Sequence, residues 1–353
     1  MSATPSQAVD VQATPEYSTN DSPEPTDLPP LATALPHTAR LTPSFDVDRL
    51  VADLERLGTA EWKQQQLYTE SGLGAVANFD WKVLSLRSIG GDPTRTDPGG
   101  PGLEGFGYTE RLQSTPYFAE ILAGIPAPLR AVRLMSLGPG ARTRIHHETK
   151  YGFPWGTLRL HIPITTSPGA ILAFGDEVYQ WQPGEFWFGN FCRSHMVRSS
   201  GPGNRVHMVI DTLVTPELVA LFPADVRAIL DRHEPLFARR TVPICSADLG
   251  EYRSTTFAMP ASFANWEEAD GEFLRPQPTV AASVDVRDSR LVLLVDDKPT
   301  FGLVHIGDGE FRFAGWSDER TVQLGPSGPA GGVTLRTRQG GVTRELTVAA
   351  SRP

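Results

Sequence analysis

The feature that most constrains the fold of this chain is a run of short apolar segments between residues 157 and 214. The segments TLRLHIPITT, AILAFGDEVYQW, EFWFGNF, HMVRSS and RVHMVIDTLV are separated by Ser-Pro-Gly, Gln-Pro-Gly and Gly-Pro-Gly-Asn turns. Short strands at this spacing are typical of antiparallel sandwiches and barrels. The sequence therefore predicts a mainly β core.

Helices and further strands are predicted around this core. Apolar residues recur with helical spacing at Val47, Leu50, Val51, Leu54 and Leu57. Ser44 is the expected N-cap of that helix. NFDWKVLSLRSIGG predicts a strand, and a short helix is expected over 117–123. AVRLMSLGPGARTRIHH predicts two strands broken at the turn 138–140, and PELVALFPADVRAILDRHEPLF predicts a return to helix.

The two ends of the chain differ from the core. Residues 1–36 contain seven prolines, five acids and no Lys or Arg, which predicts a disordered tail because little apolar surface can be buried there. Residues 239–353 alternate cleanly, which predicts a smaller C-terminal β-rich domain. We expect it to cap the core, to recognise a peptide or to mediate a homodimer. Residues 37–238 remain for the core domain with its flanking helices.

Composition excludes several functional classes. The net charge is −9, which argues against binding of nucleic acid through phosphate contacts. No run approaches the roughly 18–20 apolar residues of a membrane-spanning helix. Two cysteines are too few for a disulfide framework. The N-terminal residues show no secretory signal, so we expect a cytoplasmic protein without a membrane partner.

Histidines mark the candidate site. Five of the eight lie in the predicted β core, where buried imidazoles need partners: His146, His147, His161, His195 and His207. In an extended segment His146 and Glu148 share one face and could bind a metal together with His195. His147 is the alternative to His146. Two histidines and a carboxylate suit an Fe(II) oxygenase or a zinc hydrolase. A non-catalytic, cupin-type binding protein is the remaining alternative.

Two arginines lie on apolar strands of the same section. Arg205 begins the last strand, and Arg159 shares a face with His161. A dicarboxylate that chelates a metal needs a cation for its distal carboxylate, and arginine offers bidentate geometry. The alternative is that these arginines form strand-end ion pairs with Asp211, Glu177 or Glu185.

Four blocks in order resemble the aspartyl/asparaginyl β-hydroxylase family, which includes the microbial cis-proline hydroxylases. The blocks are RLMSLGPGA followed by His146-x-Glu148, LRLHIP over 158–163, PGEFW over 183–187, and His195-x9-Arg205-x5-Asp211. The resemblance covers about residues 78–215. It implies a double-stranded β-helix (jelly-roll, cupin-like) and a dioxygenase that uses Fe(II), 2-oxoglutarate and O2.

The resemblance also implies roles for individual residues. His146, Glu148 and His195 would bind the iron, Arg205 would bind the distal carboxylate of 2-oxoglutarate, and Arg159 and His161 would line the co-substrate pocket. Bacterial members usually carry Asp at the position of Glu148. Members that act on aspartate residues can carry an extra arginine where this chain has Thr157.

The implied reaction is hydroxylation of an unactivated C–H, at the β-carbon, of an amino acid or of a residue in a peptide. The Pro-rich, Ala- and Arg-containing composition favours bacterial natural-product tailoring. Arg142 and Arg144 flank the site, where they would meet a substrate carboxylate or solvent. Aromatic or long side chains between the second and third blocks would form the pocket rim or pack: Lys150, Tyr151, Phe153 and Trp155.

Overall fold

The computed structural model of the chain describes residues 22–69, 72–77, 79–325 and 332–351. The first two thirds form two β-sheets with helices, and the last third forms a closed β-barrel. The larger sheet contains β1 (Thr38–Ser44), β2 (Lys63–Gln64), β5 (Trp81–Ile89), β6 (Phe106–Tyr108), β7 (Leu129–Leu137), β8 (Thr157–Thr165), β11 (Glu185–Gly189) and β13 (Arg205–Leu213). The smaller sheet contains β9 (Ala170–Phe174), β10 (Glu177–Tyr179) and β12 (Met196–Ser199). A separate hairpin pairs β3 (Gln66–Thr69) with β4 (Gly72–Val76).

The strand order of the larger sheet is β1-β11-β8-β13-β7-β5-β2, with β6 paired to β5, and every pairing is antiparallel. The smaller sheet has the order β10-β9-β12. The mainly β core with a jelly-roll architecture is thus confirmed. The predicted strands at 81–89, 157–165, 185–189 and 205–213 are present.

The central strands β8 and β13 are buried along nearly their whole length. Their even-numbered residues, such as Leu160, Met208 and Ile210, belong to the main apolar core with the helices. The charged residues and the histidines of both strands occupy odd positions and therefore point to the opposite face. These residues are Arg159, His161, Arg205, His207 and Asp211. Alternation alone thus collects them on the inner face of the sheet.

The described residues form six α-helices: α1 (Pro30–Ala34), α2 (Val47–Arg56), α3 (Pro116–Gly124), α4 (Pro216–Val219), α5 (Ala224–His233) and α6 (Ser246–Tyr252). The predicted N-cap of α2 was wrong: Asp46 caps it by accepting the backbone N–H of Arg49. Ser44 instead ends β1. In α2, Asp53 is fully buried and accepts the N–H groups of Tyr117 and Phe118 in the first turn of α3. Within the described residues no helix is long and apolar enough to cross a membrane.

The segment after the 138–140 turn differs from its prediction as a strand. Residues 142–148 form only isolated bridges, Arg142 with Arg198 and His146 with His195. The reason is that the segment opposite them is a loop from Phe191 to His195 and becomes a regular strand only at Met196, where β12 begins. The predicted strand AILAFGDEVYQW is also split, because Gly175 adopts φ 55° between β9 and β10.

The predicted disordered tail is wrong for the part that the structure describes. Leu31 and Leu35 of the α1 region are buried in the main core, and Ala32 packs beside Trp155. Ser22 donates its N–H to the carbonyl of Ile145. A few apolar residues on one helical turn are sufficient for docking. The tail prediction for residues 1–21 lies outside the described residues.

The C-terminal barrel contains eight antiparallel strands in sequence order: β14 (Thr256–Pro260), β15 (Thr279–Arg287), β16 (Arg290–Val295), β17 (Lys298–His305), β18 (Glu310–Phe313), β19 (Arg320–Gln323), β20 (Gly332–Gln339) and β21 (Val342–Ser351). Phenylalanine and aliphatic side chains fill its interior. The barrel contacts the first domain through several polar bonds. Ser317 donates to the carbonyl of Trp155 (2.6 Å), and Lys150 pairs with Glu319 (2.9 Å).

Replacing Asp53 with alanine should lower the free energy of unfolding by about 1–3 kcal/mol, because the two N–H groups at the start of α3 lose their buried acceptor. Urea denaturation followed by circular dichroism measures this. Asp48→Asn, at an exposed acid of the same helix, is the matched control and should stay within about 0.5 kcal/mol of the parent. Equal stability of the two variants would contradict the capping role of Asp53.

Candidate active site

Two loops bring His146 and His195 together. Each residue donates its backbone N–H to the carbonyl of the other, at 3.0 and 2.8 Å, and their ring centroids lie 4.4 Å apart. Each ring also directs Nδ1 to a nearby backbone carbonyl at 2.9 Å, that of Arg144 for His146 and that of Arg193 for His195. A carbonyl can only accept, so Nδ1 carries the proton in both rings. Both Nε2 atoms are therefore left with their lone pairs, which is the form that binds metals.

The environment keeps both imidazoles neutral. Burial lowers the pKa of His195 well below its usual value, and the neighbouring His146 lowers it further. Burial also lowers the pKa of His146, although the carboxylate of Glu148 acts in the opposite direction. Neutral imidazole is required of a metal ligand.

Glu148 lies near this pair but contacts Arg159. Its Oε1 atom accepts a hydrogen bond from Nη1 of Arg159. Burial alone would raise the pKa of Glu148, but the charge of Arg159 lowers it, so the group is a carboxylate. The backbone N–H of Glu148 donates to the carbonyl of Phe191 (2.8 Å), which fixes the residue opposite the His195 loop.

Asp211 provides the second counter-ion of Arg159. It is fully buried and accepts from Nε (2.7 Å) and Nη2 (3.1 Å) of Arg159. Nη2 of Arg133 (3.3 Å) and the hydroxyl of Tyr151 (3.4 Å) also donate to it. Sequence reasoning considered this pairing only as an alternative for Arg159, and Arg133 was missed. The signal available in the sequence is that Arg133, like Arg159, interrupts an apolar run, AVRLMSL in one case and TLRLHI in the other.

The three residues predicted to bind the metal are only partly assembled. Among the described residues no group of three or more His, Cys, Asp or Glu side chains is arranged to hold a metal ion. His146 and His195 form a pair, and Glu148 lies beside it with Oε1 bound to Arg159. The physical reason is that the buried guanidinium attracts the nearest carboxylate. Within the described ranges the side-chain hydrogen bond of Glu148 engages Oε1, and Oε2 remains available.

Arg205 has a different environment. It is 8% exposed, and in the described part of the chain no carboxylate lies within 4.0 Å of it. Burial lowers its pKa to about 9, with no compensating charge. Its Nη2 donates to Nδ1 of His207 (3.1 Å), and that nitrogen also lies 3.3 Å from Nδ1 of His161. Because arginine can only donate, Nδ1 of His207 accepts, and Nδ1 of His161 carries a proton.

Arg205, His161 and His207 form a polar group with unused hydrogen-bonding capacity. The Nε2 atoms of both histidines are buried and have no partner among the described residues. Trp181 packs against both rings, at 5.3 and 6.2 Å. His207 was counted in the histidine cluster but given no role, although its alternation with Arg205 already placed the two on one face. Buried polar atoms without partners indicate a place for a polar ligand.

A cleft of about 630 Å³ opens beside Glu148 and His147. The barrel contributes part of its wall, including Glu319 and Arg338. Of the predicted rim residues, Lys150 and Trp155 line the cleft. Phe153 is completely buried in the main core, and Tyr151 is buried against Asp211. The packing alternative therefore applies to Phe153.

The fold and these side chains together define a class of protein. A jelly-roll core carries a neutral histidine pair suited to a metal, together with a buried arginine that has no counter-ion among the described residues. Residues 45–214, which are 170 of the 353 residues of the chain, match the family model of aspartyl/asparaginyl β-hydroxylase. The protein is accordingly a 2-oxoglutarate-dependent hydroxylase, a class of enzyme that uses iron and O2.

Solved structures show only remote similarity. A 2OG-Fe(II) oxygenase family oxidoreductase from Burkholderia pseudomallei has a TM-score of 0.34 and 12% identity, over 52% of this chain and 88% of that chain. A prolyl hydroxylase from Trichoplax adhaerens, in complex with a hypoxia inducible factor peptide fragment, has a TM-score of 0.34 and 10% identity, over 55% of this chain and 86% of that chain. A Pseudomonas putida prolyl-4-hydroxylase has a TM-score of 0.31 and 14% identity, over 52% of this chain and 99% of that chain. No curated protein sequence matches the chain.

Asp211→Asn should reduce the free energy of unfolding by about 3–5 kcal/mol, because Arg159 and Arg133 lose a buried counter-charge. Tyr151→Phe, which removes only the hydroxyl at 3.4 Å from the same carboxylate, is the matched control and should cost about 1 kcal/mol or less. Chemical denaturation compares the two. A small effect of Asp211→Asn would show that Arg159 does not depend on this carboxylate.

Proposed function

We propose that the first domain is an Fe(II)/2-oxoglutarate dioxygenase that hydroxylates an unactivated C–H, at the β-carbon, of an amino acid or of a residue in a peptide. The proposal includes a cytoplasmic role in bacterial natural-product tailoring. Within it, His146, Glu148 and His195 bind the iron. Arg205 and His161 belong to the co-substrate pocket, and Arg159 acts beside that pocket by holding Glu148.

The observation that carries this proposal is the buried Arg205 without a carboxylate partner. A buried cation is costly unless an anion compensates it. Among the described residues Arg159, on the neighbouring strand, has two such partners, whereas Arg205 has a neutral imidazole and no carboxylate. The distal carboxylate of 2-oxoglutarate would supply the missing charge and accept charge-assisted hydrogen bonds. The unpartnered Nε2 atoms of His161 and His207 are further groups for a polar ligand at this place.

The donor set near the two histidines fits iron. Both rings present neutral Nε2 atoms from one pair of loops, and the Nδ1–H···O=C bonds hold the ring orientations. Oε2 of Glu148 offers a third donor, while Arg159 keeps Oε1 in place. Two histidines and one carboxylate are the usual protein ligands of non-haem Fe(II) in oxygenases.

The residues of the chain divide the remaining work. Iron and 2-oxoglutarate, when bound, supply the oxidation that converts O2 and a C–H bond into a hydroxylated product with release of succinate and CO2. Arg205 orients the co-substrate through its distal carboxylate. Asp211 orients Arg159, and Arg159 in turn holds Glu148. Trp181 and Phe191 pack on His161 and exclude water from this side of the site.

The cleft beside Glu148 supports the proposed substrate class. Its volume of about 630 Å³ lies within the range of small-molecule sites, and it is large enough for an amino acid with flanking peptide. Both domains line it, so a peptide in the cleft would contact the barrel as well as the core domain. This arrangement favours peptide recognition among the roles considered for the C-terminal domain.

Anaerobic addition of Fe(II) and then 2-oxoglutarate should produce a weak visible charge-transfer band in the parent protein. His146→Ala and His195→Ala should lose the band because a metal ligand is removed. Arg205→Ala should keep it but require about 10–100-fold more 2-oxoglutarate, the equivalent of losing charge-assisted hydrogen bonds of about 1.5–3 kcal/mol. Absorption spectroscopy with a 2-oxoglutarate titration measures both effects.

Two variants serve as controls for that titration. His147→Ala changes the alternative histidine, and Arg40→Ala removes an arginine that is 53% exposed on β1 of the same sheet. Both should retain the band at the parent concentration of 2-oxoglutarate. Loss of the band in His147→Ala instead of His146→Ala would reassign the ligand. Absence of any band together with tight zinc binding would favour a zinc hydrolase, and absence of both would favour a non-catalytic binding protein.

Substrate turnover is the second test. Succinate formation under O2 should rise severalfold above the substrate-free rate when the correct amino acid or peptide is present, because substrate positions its C–H at the oxidising centre. A panel of free amino acids and short peptides, read by mass spectrometry for a gain of one oxygen, identifies the substrate class. A spectroscopically competent enzyme that oxidises no member of either set would contradict the proposed substrate while leaving the co-substrate site intact.

A further inference from the structure

A second cleft, of about 280 Å³, lies between the core domain and the barrel. Residues of β5, β6 and β7 form one wall, and residues of β16, β17 and β18 with the turn after β18 form the other. None of the residues proposed for iron or 2-oxoglutarate lines it. The cleft is therefore separate from the site described above.

The charge of this cleft is entirely positive. Its ionisable lining residues are Arg87, Arg130, Arg290 and Arg312, with no acid among them. The whole chain has 41 acidic against 32 basic residues, so a wall with arginines alone departs from the average. Arg312 has a counter-ion outside the cleft, Asp318 at 3.3 Å. The other three form no ion pair with any residue that the structure describes.

Arg130 is the central group. It is only 3% exposed, and its hydrogen bonds go to neutral acceptors, Oγ1 of Thr157 at 3.3 Å and the carbonyl of Gly315 at 3.0 Å. Its Nε is buried and has no partner in the described ranges. A buried guanidinium with neutral partners is incompletely compensated, and an oxyanion in the cleft would correct this.

Arg87 repeats the pattern on the neighbouring strand. It donates to the carbonyls of Leu129 (3.2 Å) and Phe106 (2.8 Å), and burial lowers its pKa. These bonds fix the guanidinium at the cleft without neutralising it. Arg290 is exposed at the start of β16 and adds a third positive charge at the rim. Three fixed or nearby cations make the cleft attractive to an anion.

The remaining walls are aromatic or aliphatic. The rings of Phe106 and Trp316 lie 5.5 and 5.2 Å from the guanidinium carbon of Arg130. Trp316 is held by its Nε1–H bond to Glu319 (2.8 Å). Leu103, which also lines the cleft, is 43% exposed and presents apolar surface at its edge. The cleft thus offers apolar surface beside the cationic group.

We propose that this cleft binds a small ligand with an oxyanion head, carboxylate or phosphate, on an aromatic or apolar body. The arginines contact the head, and Phe106, Trp316 and Leu103 contact the body. The ligand is distinct from 2-oxoglutarate, whose proposed site at Arg205 shares no residue with the cleft.

Isothermal titration calorimetry with phenyl phosphate and with benzoate, at low salt and saturating 2-oxoglutarate, tests this proposal. One binding site per chain is expected for at least one of the two anions, and the tighter one identifies the head group. Binding should quench the tryptophan fluorescence. Trp316→Phe should remove the quenching while calorimetric binding persists. Benzyl alcohol, a neutral ligand with the same ring, should not bind.

Variants assign the site to the arginines. Arg87→Gln should weaken binding about tenfold or more, and Arg290→Gln, at an exposed residue that can be changed without disturbing the fold, by several-fold. Arg287→Gln is the matched control, because Arg287 faces Arg290 in the β15–β16 hairpin but does not line the cleft. Arg205→Ala should not change the affinity for the anion.

Several results would overturn the proposal. These are no heat of binding with either anion, equal binding of benzyl alcohol, or affinities that do not change in both Arg87→Gln and Arg290→Gln. If Arg87→Gln does not fold, the proposal is decided by comparing the anion affinity of Arg290→Gln with that of the control Arg287→Gln. The outcome is independent of the proposed hydroxylation, since calorimetry needs neither iron nor turnover.

Discussion

The buried ion pair between Arg159 and Asp211 is the interaction on which the candidate site depends. The two residues are direct cross-strand partners on β8 and β13, and Arg133 on β7 joins them. Removing charges from water is costly, and geometry this close, with additional hydrogen bonds, offsets the cost. Because Asp211 orients Arg159, Arg159 can in turn hold Glu148 beside the histidine pair. An ion pair between Arg159 and Glu148 therefore links the strand core to the loop that carries His146 and Glu148.

The same sheet contains a second buried arginine, Arg205, whose surroundings differ from those of Arg159. This difference explains why we propose different roles for the two residues. Arg159 faces two carboxylates and is suited to positioning. Arg205 faces Leu137 and His207 and has no acid within ion-pair distance in the described ranges. A buried charge that is left uncompensated is stable only if a ligand or solvent supplies the complement. In the proposed function, Arg205 is therefore the group on which the bound co-substrate has the largest effect.

Sequence patterns predicted the regular elements well and the irregular ones poorly. β8, β11 and β13 follow from short apolar runs between turn signals, and α2 follows from apolar residues at helical spacing. Residues 142–148 were predicted as a strand, yet they pair only through isolated bridges, because a loop provides their partners. Asp46 replaced Ser44 as the helix cap since the local turn decides which side chain reaches the free N–H groups. The helix α1 packs although its composition suggested a tail, because burial of two leucines depends on a distant surface.

The sequence by itself determined which residues could take part in chemistry. The His-x-Glu spacing, the later histidine and the alternation of Arg205 with His207 and of Arg159 with His161 are all visible in it, and alternation determines the face. The tertiary structure decided which of these groups meet. Cross-strand register places Asp211 opposite Arg159 and leaves Arg205 without a carboxylate, and register follows from the packing of the whole sheet. The arginine-lined cleft likewise arises only where the two domains meet.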